Sequence, residues 1–133
     1  MHEIRLQVRW RDMDAYGHVN NAVYLNYLEE ARDAWVGKVL GPVADDVWHF
    51  VLARVAIDFR RELKQEDGDI VVRCGLDSIG RSSLRTREEI RTRSGELSAE
   101  ASAVIVPRDP ATGSSRPLSD EERAALEREL SSG

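Results

Sequence analysis

The sequence contains very little cysteine and no long hydrophobic run. Cys74 is the only cysteine in 133 residues, which excludes an internal disulfide and any Cys-x-x-Cys metal motif. No segment approaches the roughly 20 apolar residues that a transmembrane helix needs. The N-terminus also lacks the apolar core typical of a signal peptide. We therefore expect a cytoplasmic protein that does not insert into a membrane.

Positive charge is in the minority. The chain has 19 Lys and Arg against 24 Asp and Glu, and its formal net charge is −5. This balance argues against a general nucleic-acid binder, although a local basic patch for an anionic ligand remains compatible with it. The hydrophobic fraction of 41% and the charged fraction of 32% are ordinary for a globular protein. We expect one domain, residues 1–133, with one core.

The N-terminal part of the chain combines two periodicities. Apolar residues alternate with polar ones from Ile4 to Trp10, which predicts a half-buried strand. From Asn20 onward apolar residues recur at helical spacing and cover much of the circumference. They predict a long helix that other structure wraps around. Asn20 or Asn21 is the expected N-cap, and Gly37 or Gly41 the expected stop.

Two carboxylates lie just before this helix. Asp12 and Asp14 precede the first helical N–H groups, which lack partners within the helix and favour negative charge. Such donors can stabilise a developing oxyanion, while a carboxylate attacks a carbonyl or activates water. The junction is therefore suited to acyl transfer. Asp12 is expected to hold the turn, and the same structural role is the alternative for Asp14.

The residues around this junction form a long motif. The segment Arg11–Asn21 reads RDMDAYGHVNN. It resembles the signature of the 4-hydroxybenzoyl-CoA thioesterase family, which are hotdog-fold acyl-CoA thioesterases, and the resemblance extends over nearly the whole chain. The helical residues that also match are Tyr24, Tyr27, Glu29, Ala31 and Arg32.

The resemblance implies roles for several of these residues. By position, Asp14 is the catalytic carboxylate, and a backbone N–H at Asn20 or Asn21 polarises the thioester carbonyl. The resemblance also implies a homodimer with one continuous sheet, often a tetramer, whose active site lies at the dimer interface. Possible supporting residues are Gly17, His18, Tyr24 and Glu29.

Each supporting residue has a structural alternative. His18 is a general base or a residue that orders the loop. Glu29 is a second acid or the ion-pair partner of Arg32, three residues further along the helix. The tyrosines belong mainly to the core. Cys74, on the apolar side of a predicted strand, is expected to be a packed small hydrophobe.

The rest of the chain predicts an antiparallel meander. Residues 40–49 are predicted to form a loop whose Val47 and Trp48 either cover a ligand channel or pack on the core. In the strand that follows, the face from Val51 to Phe59 is predicted to be buried. Closely spaced turns then separate the other strands. The four predicted strands are residues 51–60, 70–79, 84–91 and 97–106.

These elements together predict an α+β hotdog fold, an antiparallel sheet of about five strands wrapped around one long central helix. Residues 107–118 are predicted to form a loop, and residues 119–130 a short C-terminal helix. Ser119 and Glu122 occupy the positions of a capping box at its start. Residues 131–133 are expected to be frayed.

The expected function is hydrolysis of an acyl-CoA to free acid and CoA, with Asp14 as nucleophile or general base and with no metal or redox cofactor. The alternatives are a hotdog hydratase or dehydratase, and a non-catalytic protein that binds acyl-CoA or an acyl carrier. Aromatic, medium and long acyl groups all remain open. Because CoA carries phosphates, basic residues are expected near the mouth, and their alternative is a solvated sheet surface. The candidates for CoA binding are Arg60, Arg61, Lys64, Arg81, Ser82 and Ser83.

Overall fold

One face of a five-stranded antiparallel sheet carries a long helix in the computed structural model, which describes residues 1–44 and 46–132. The spatial strand order is β1-β3-β4-β5-β2, so β1 and β2 are the edges. This arrangement confirms the predicted architecture. The strands are β1 (His2–Gln7), β2 (Phe50–Phe59), β3 (Asp69–Ile79), β4 (Leu84–Thr92) and β5 (Leu97–Pro107), and the helices are α1 (Asn21–Leu40) and α2 (Asp120–Ser132).

Helix α1 begins and ends where its sequence predicts. The Asn20 side chain accepts a hydrogen bond from the N–H of Ala22 at 2.9 Å, and the N–H of Gly41 donates to the carbonyl of Gly37 at 3.1 Å. The helix packs mainly on β3 and, to a lesser degree, on β1 and β4. Its buried apolar residues are Tyr24, Tyr27, Leu28, Ala31, Trp35, Val36 and Leu40.

A buried ion pair fastens α1 to the sheet. The guanidinium of Arg32 donates two hydrogen bonds to the carboxylate of Glu88 on β4, at 2.8 and 2.7 Å. The hydroxyl of Thr86 donates a third at 2.7 Å. The predicted pairing of Arg32 with Glu29 is therefore wrong. Glu29 is exposed, whereas Arg32 points into the core, where the pairing of β3 with β4 presents Glu88.

Two strand predictions need correction. Strand β1 ends at Gln7, and Trp10 lies in a short 3-10 turn with 77% of its surface exposed. The alternation continues in the sequence, but the chain turns away from the sheet after Val8.

In β2, a register shift at Ala53 interrupts the pairing with β5. A bulge puts one extra residue into a strand and so exchanges its faces. Phe50 and Leu52 therefore line the helix side before the shift, and Ile57 packs on the core after it. The predicted single buried face from Val51 to Phe59 is wrong for the residues before the bulge.

The outer edge of β2 has no neighbouring strand within the described residues. The N–H of Arg60 donates to the carbonyl of Ser98 at 2.8 Å, and bonds of this kind alternate along an antiparallel ladder. The N–H groups of Val55, Ile57 and Phe59 therefore point to the open edge. This edge is long and apolar, a feature that favours pairing with another strand.

The C-terminal helix is capped as predicted. The hydroxyl of Ser119 accepts from the N–H of Glu122 at 3.1 Å, and the Glu122 carboxylate accepts from the N–H of Ser119 at 2.9 Å. The helix extends through Ser132, two residues beyond the predicted end at residue 130, and Gly133 lies outside the described residues. The predicted loop after β5 contains one isolated bridge, between Arg108 and Ser115.

Candidate active site

A small hairpin positions the two aspartates beside the start of α1. Met13 and Val19 form an isolated antiparallel bridge, and the N–H of Asp14 donates to the carbonyl of His18 at 2.9 Å. At its base, the N–H of Asn20 donates to the carbonyl of Asp12 at 3.0 Å. The hairpin is therefore closed at its base, directly against the helix N-terminus.

Asp12 holds this hairpin in place. Its carboxylate is buried and accepts hydrogen bonds from the Tyr27 hydroxyl at 2.7 Å and from the backbone N–H of Arg9 at 2.9 Å. Burial by itself would raise the pKa of Asp12, but these hydrogen bonds and the Arg9 guanidinium together hold the pKa below its usual value of 3.8. The structural role predicted for Asp12 is confirmed.

Asp14 lies at the open end of the hairpin and keeps 24% of its side chain exposed. One oxygen, Oδ1, accepts from the N–H of Tyr16 at 2.8 Å. The other, Oδ2, lies 3.8 Å from Nδ1 of His18. Gly17 has a φ of +86°, in the region that favours glycine, and so allows the sharp return of the chain. Asp14 thus keeps one oxygen available for chemistry.

His18 lies between two carboxylates. Its Nδ1 faces Asp14, and its Nε2 lies 3.7 Å from Oε1 of Glu62, which follows β2. Glu62 was not predicted as a site residue. It lies far from His18 in sequence and has no motif of its own, so only the fold reveals the contact.

The start of α1 offers one free backbone donor. The Asn20 side chain binds the N–H of Ala22, and the Asn20 carbonyl binds the N–H of Val23. Within residues 1–44 and 46–132, the N–H of Asn21 has no acceptor. Because the N-terminal end of a helix also carries partial positive charge, Asn21 is suited to bind a developing oxyanion.

A cavity of about 360 Å³ opens next to this donor. Asn21, His18, Tyr24 and Phe59 contribute to its wall, whereas Asp14 does not. The Tyr24 hydroxyl accepts from the N–H of Leu63 at 3.0 Å, and its ring meets that of Phe59 edge-on at 5.1 Å. Tyr24 is therefore mainly a core residue whose ring closes one side of the cavity.

The candidate basic residues fall into two separate groups. Arg60 and Arg61 border the cavity but already pair with carboxylates, Arg60 with Glu100 at 2.7 Å and Arg61 with Glu96 at 2.9 Å. Lys64 lines a neighbouring surface depression together with Arg61.

The turn that carries Arg81, Ser82 and Ser83 lies at the other end of the sheet. It joins β3 to β4, and the 11 residues of β3 separate it from the Asp14 end by about 35 Å. The structure therefore does not bring this turn together with Asp14 within one subunit. Glu29 also lies apart, on the wall of a second cavity beside the C-terminal half of α1.

Cys74 is unsuited to nucleophilic chemistry. Its side chain is fully buried on β3, and its sulfur lies 3.9 Å from Oε2 of Glu88. Burial and the Glu88 carboxylate raise the pKa of the Cys74 thiol far above its usual value. The thiol is therefore protonated and packed, as predicted.

Two findings concern only the part of the chain that is described. It contains no group of three or more His, Cys, Asp or Glu side chains placed to hold a metal ion. Among the same residues, no helix is both long and apolar enough to cross a bilayer.

Comparison with known proteins gives a consistent set of relatives. The family model described as the thioesterase-like superfamily matches residues 8–126. The long-chain acyl-CoA thioesterase FadM of Escherichia coli is 29% identical over 133 residues, and the match covers 94% of this chain and 96% of that protein.

Solved structures agree in fold over almost the full length. A thioesterase from Thermus thermophilus, crystallised with coenzyme A and zinc, is 34% identical with a TM-score of 0.82, and the match covers 93% of this chain and 95% of the other. A member of the thioesterase superfamily from a Jannaschia species is 27% identical with a TM-score of 0.80 and coverages of 96% and 81%.

Proposed function

The chain belongs to the thioesterase-like superfamily, which confirms the family and the hotdog fold inferred from the Arg11–Asn21 motif, and we propose that it hydrolyses acyl-CoA thioesters with Asp14 as the catalytic carboxylate. That it is a thioester hydrolase follows from this membership and from relatives that are thioesterases. The residues that perform the reaction are the proposal.

One observation carries the assignment of residues. The partly exposed carboxylate of Asp14 lies 3.8 Å from His18, and His18 lines the same cavity as Asn21, whose N–H is free. A thioester carbonyl bound to that N–H would gain stabilisation as negative charge develops on its oxygen. A nucleophile or base and an oxyanion donor are the two components that hydrolysis needs.

The reaction can follow either of two routes from this arrangement. In the first, Asp14 removes a proton from water while the water oxygen attacks the carbonyl carbon. In the second, Asp14 itself attacks and forms a mixed anhydride that water then cleaves. In both routes the C–S bond breaks, the sulfur leaves with the electron pair and is protonated, and the products are a carboxylic acid and CoA. Neither route draws on a metal or redox cofactor.

We also propose that the working enzyme is at least a homodimer. The open, apolar edge of β2 can pair with the same edge of a second copy, which forms one continuous sheet. In such a pairing the two β2 strands run antiparallel. The first residues of β2 in one copy therefore lie against the last residues of β2 in the other. This pairing would bring the partner subunit's Arg81, together with the two serines that follow it, towards the cavity beside Asn21, where Arg60 and Arg61 also lie. These residues are our candidates for binding the CoA phosphates.

The test of this function is release of CoA from a panel of acyl-CoAs, followed with a thiol reagent, for wild type, Asp14→Asn and Asp69→Asn. Asp14→Asn keeps the shape of the side chain and removes its charge. We expect it to lose on the order of a hundredfold or more in kcat. Asp69→Asn, at an exposed aspartate that begins β3, is the matched control and should retain wild-type rates.

Each other outcome points to a different conclusion. Full activity of Asp14→Asn would show that another residue is catalytic, with His18 and Glu29 next in order. If wild type releases no CoA, hydration of an enoyl-CoA and binding without turnover are the two activities to measure.

A further inference from the structure

The β3–β4 turn, residues 80–83, has several hydrogen-bond donors without an acceptor. The N–H of Gly80 donates to the carbonyl of Ser83 at 2.8 Å. Among the described residues, the N–H groups of Arg81, Ser82 and Ser83 have no acceptor, and the two serine hydroxyls form no hydrogen bond. Successive unpaired N–H groups in a turn form a concavity that binds anions. The donors of this turn are therefore available to an anionic ligand.

The carbonyl groups of the same turn are bound from the C-terminal part of the chain. Nη2 of Arg123, in the first half of α2, donates to the carbonyl of Gly80 at 2.9 Å and to the carbonyl of Arg81 at 3.4 Å. The N–H of Leu118, just before α2, also donates to the carbonyl of Arg81, at 3.0 Å. Both carbonyls therefore face α2.

The planarity of the peptide group relates these carbonyls to the free donors. In a trans peptide the carbonyl of one residue and the N–H of the next residue point in opposite directions. Because the carbonyls of Gly80 and Arg81 point to Arg123, the N–H groups of Arg81 and Ser82 point away from α2. The N–H of Ser83 also stays free, since the bond to the Gly80 carbonyl that would close an ordinary two-residue hairpin is not formed.

The turn also carries positive charge that no acidic side chain neutralises. The Arg81 side chain is exposed, and neither its guanidinium nor that of Arg123 forms an ion pair with a described carboxylate. Arg60 and Arg61, by contrast, are already paired with Glu100 and Glu96. A phosphate at this turn would therefore be attracted by two guanidinium groups as well as by the N–H donors.

The start of α2 holds Arg123 in a fixed place. The N–H of Arg123 donates to the carbonyl of Ser119 at 2.9 Å, inside the capping box that Ser119 forms with Glu122. The Glu122 carboxylate accepts two further hydrogen bonds from Arg116, at 2.8 and 2.9 Å. Leu126, fully buried, packs the helix into the core. The guanidinium of Arg123 therefore extends to the turn from a well-anchored helix.

We propose that Arg123 is a positioning residue for coenzyme A, and that it holds the β3–β4 turn in the conformation that binds a phosphate of the substrate. The inference rests on the proposed function, in which this turn of one subunit reaches the CoA bound at the other. Arg123 acts through the backbone of the turn. It therefore affects the binding of the CoA part of the substrate and leaves the chemical step unchanged.

Binding of CoA tests this inference without turnover. The Kd of CoA is measured by calorimetry for wild type, Arg123→Ala and Arg128→Ala. Arg128 is an exposed arginine on the same helix, so its removal changes the net charge equally and is the matched control. We expect Arg123→Ala to raise the Kd about tenfold, as the loss of one hydrogen bond to a charged group does. Arg128→Ala should keep the wild-type value. An unchanged Kd in Arg123→Ala would overturn the proposal, even for a protein that hydrolyses nothing.

Combined variants show whether Arg123 acts through the turn. Arg81→Ala should also weaken CoA binding, because it removes a guanidinium at the turn itself. If Arg123 positions this turn, the double variant should lose less affinity than the product of the two single losses, since both changes affect one binding site. Arg123→Lys, which keeps a charged donor, should recover part of the affinity. Losses that multiply fully would show that Arg123 acts independently of the turn, which would overturn the positioning role.

Two substrates with the same acyl group separate positioning from a general defect of the fold. One is the acyl-CoA hydrolysed fastest in the panel, and the other is the corresponding acyl-pantetheine, which lacks the nucleotide and its phosphates. Arg123→Ala should raise KM for the acyl-CoA about tenfold at an almost unchanged kcat, and it should hydrolyse the acyl-pantetheine as wild type does. An equal loss for both substrates would contradict the inference and leave hydrolysis at Asp14 intact.

Discussion

Two aspartates separated by one residue have opposite environments. Asp12 is buried and fully hydrogen-bonded, whereas Asp14 keeps one oxygen towards solvent and His18. The sequence distinguished them only through the family resemblance, because either one could cap the turn. The structure supplies the physical reason for the difference, which is the hydroxyl of Tyr27 directed at Asp12 from within α1.

The hydrogen bonds of Asp12 predict a pH dependence of stability. Its pKa is lowered in the folded state, so its stabilising contribution is complete well above 3.8 and is lost as the pH falls through the lower folded value. Asp12→Asn should therefore cost about 1–3 kcal/mol of unfolding free energy at pH 7. The difference from wild type should shrink below pH 3.8.

Urea denaturation at several pH values measures this dependence. Asp69→Asn, at an exposed aspartate, is the control and should leave the pH dependence as it is in wild type. A difference between Asp12→Asn and wild type that stayed constant down to the most acidic pH measured would contradict the role assigned to the Asp12 carboxylate.

At the scale of elements, the sequence predicted α1 well because its signals are local. The N-cap Asn20 and the helical spacing of apolar residues are local features, and so is the capping box at Ser119. Signals that depend on pairing between distant segments were missed. The partner of Arg32 is Glu88, which only the sheet topology brings to it.

The bulge in β2 shows a second limit of sequence analysis. Phe50, Val51, Leu52 and Ala53 are all apolar, so alternation cannot reveal which of them faces the helix. The bulge therefore left no trace in the hydrophobic pattern. It decides the composition of the second cavity, beside the C-terminal half of α1, which for this reason was not predicted, although Trp48 was considered as a possible cover of a ligand channel.

The buried ion pair between α1 and β4 predicts that the loss of Glu88 lowers the free energy of unfolding more than the loss of its neighbour Glu89. Glu88→Gln leaves the Arg32 guanidinium buried without a countercharge and should cost about 3–5 kcal/mol of unfolding free energy. The adjacent Glu89→Gln is the matched control. Glu89 pairs with Arg73 and Arg91 on the other face of the sheet, where ion pairs are more exposed, and its loss should cost less than about 1 kcal/mol.

The free energies of unfolding of the two variants are compared by guanidinium or urea denaturation. A double variant, Arg32→Met with Glu88→Leu, removes both charges and should recover most of the stability lost in Glu88→Gln. Similar costs for Glu88→Gln and Glu89→Gln would show that the Arg32 pair contributes no more than an exposed one.

At the scale of the whole molecule, one subunit is an incomplete enzyme in our proposal. Its Asn21 cavity and the turn that carries Arg81 lie at opposite ends of the sheet, and only a second copy brings the two together. The resemblance implied a dimer, but single-chain sequence analysis has no means of locating a cavity formed across a two-fold axis.

The free edge of β2 predicts a position at which association can be blocked. The N–H of Val55 points to the open edge, whereas that of Ala56 points to β5. Val55→Pro should therefore leave the subunit folded, since proline is tolerated on sheet edges, but prevent pairing with a second copy. Ala56→Pro is the control, because it removes a bond inside the ladder and should destabilise the subunit itself.

Sedimentation and circular dichroism read out the two effects. Val55→Pro should sediment with the monomer mass, keep its secondary structure, and lose CoA release at least tenfold. A Val55→Pro variant that remained dimeric would exclude the β2 edge as the interface.

Because Cys74 is buried, its reaction with a thiol reagent reports when the core of the protein opens. In the folded chain the Cys74 thiol, the only one, is buried and protonated. A thiol reagent will therefore react only with the CoA that is released into solution. Unfolding of β3 would expose the sulfur, and labelling would then proceed at the rate at which the core opens. The same reagent can thus measure CoA release within seconds and, over hours, the rate at which the sheet opens and exposes Cys74.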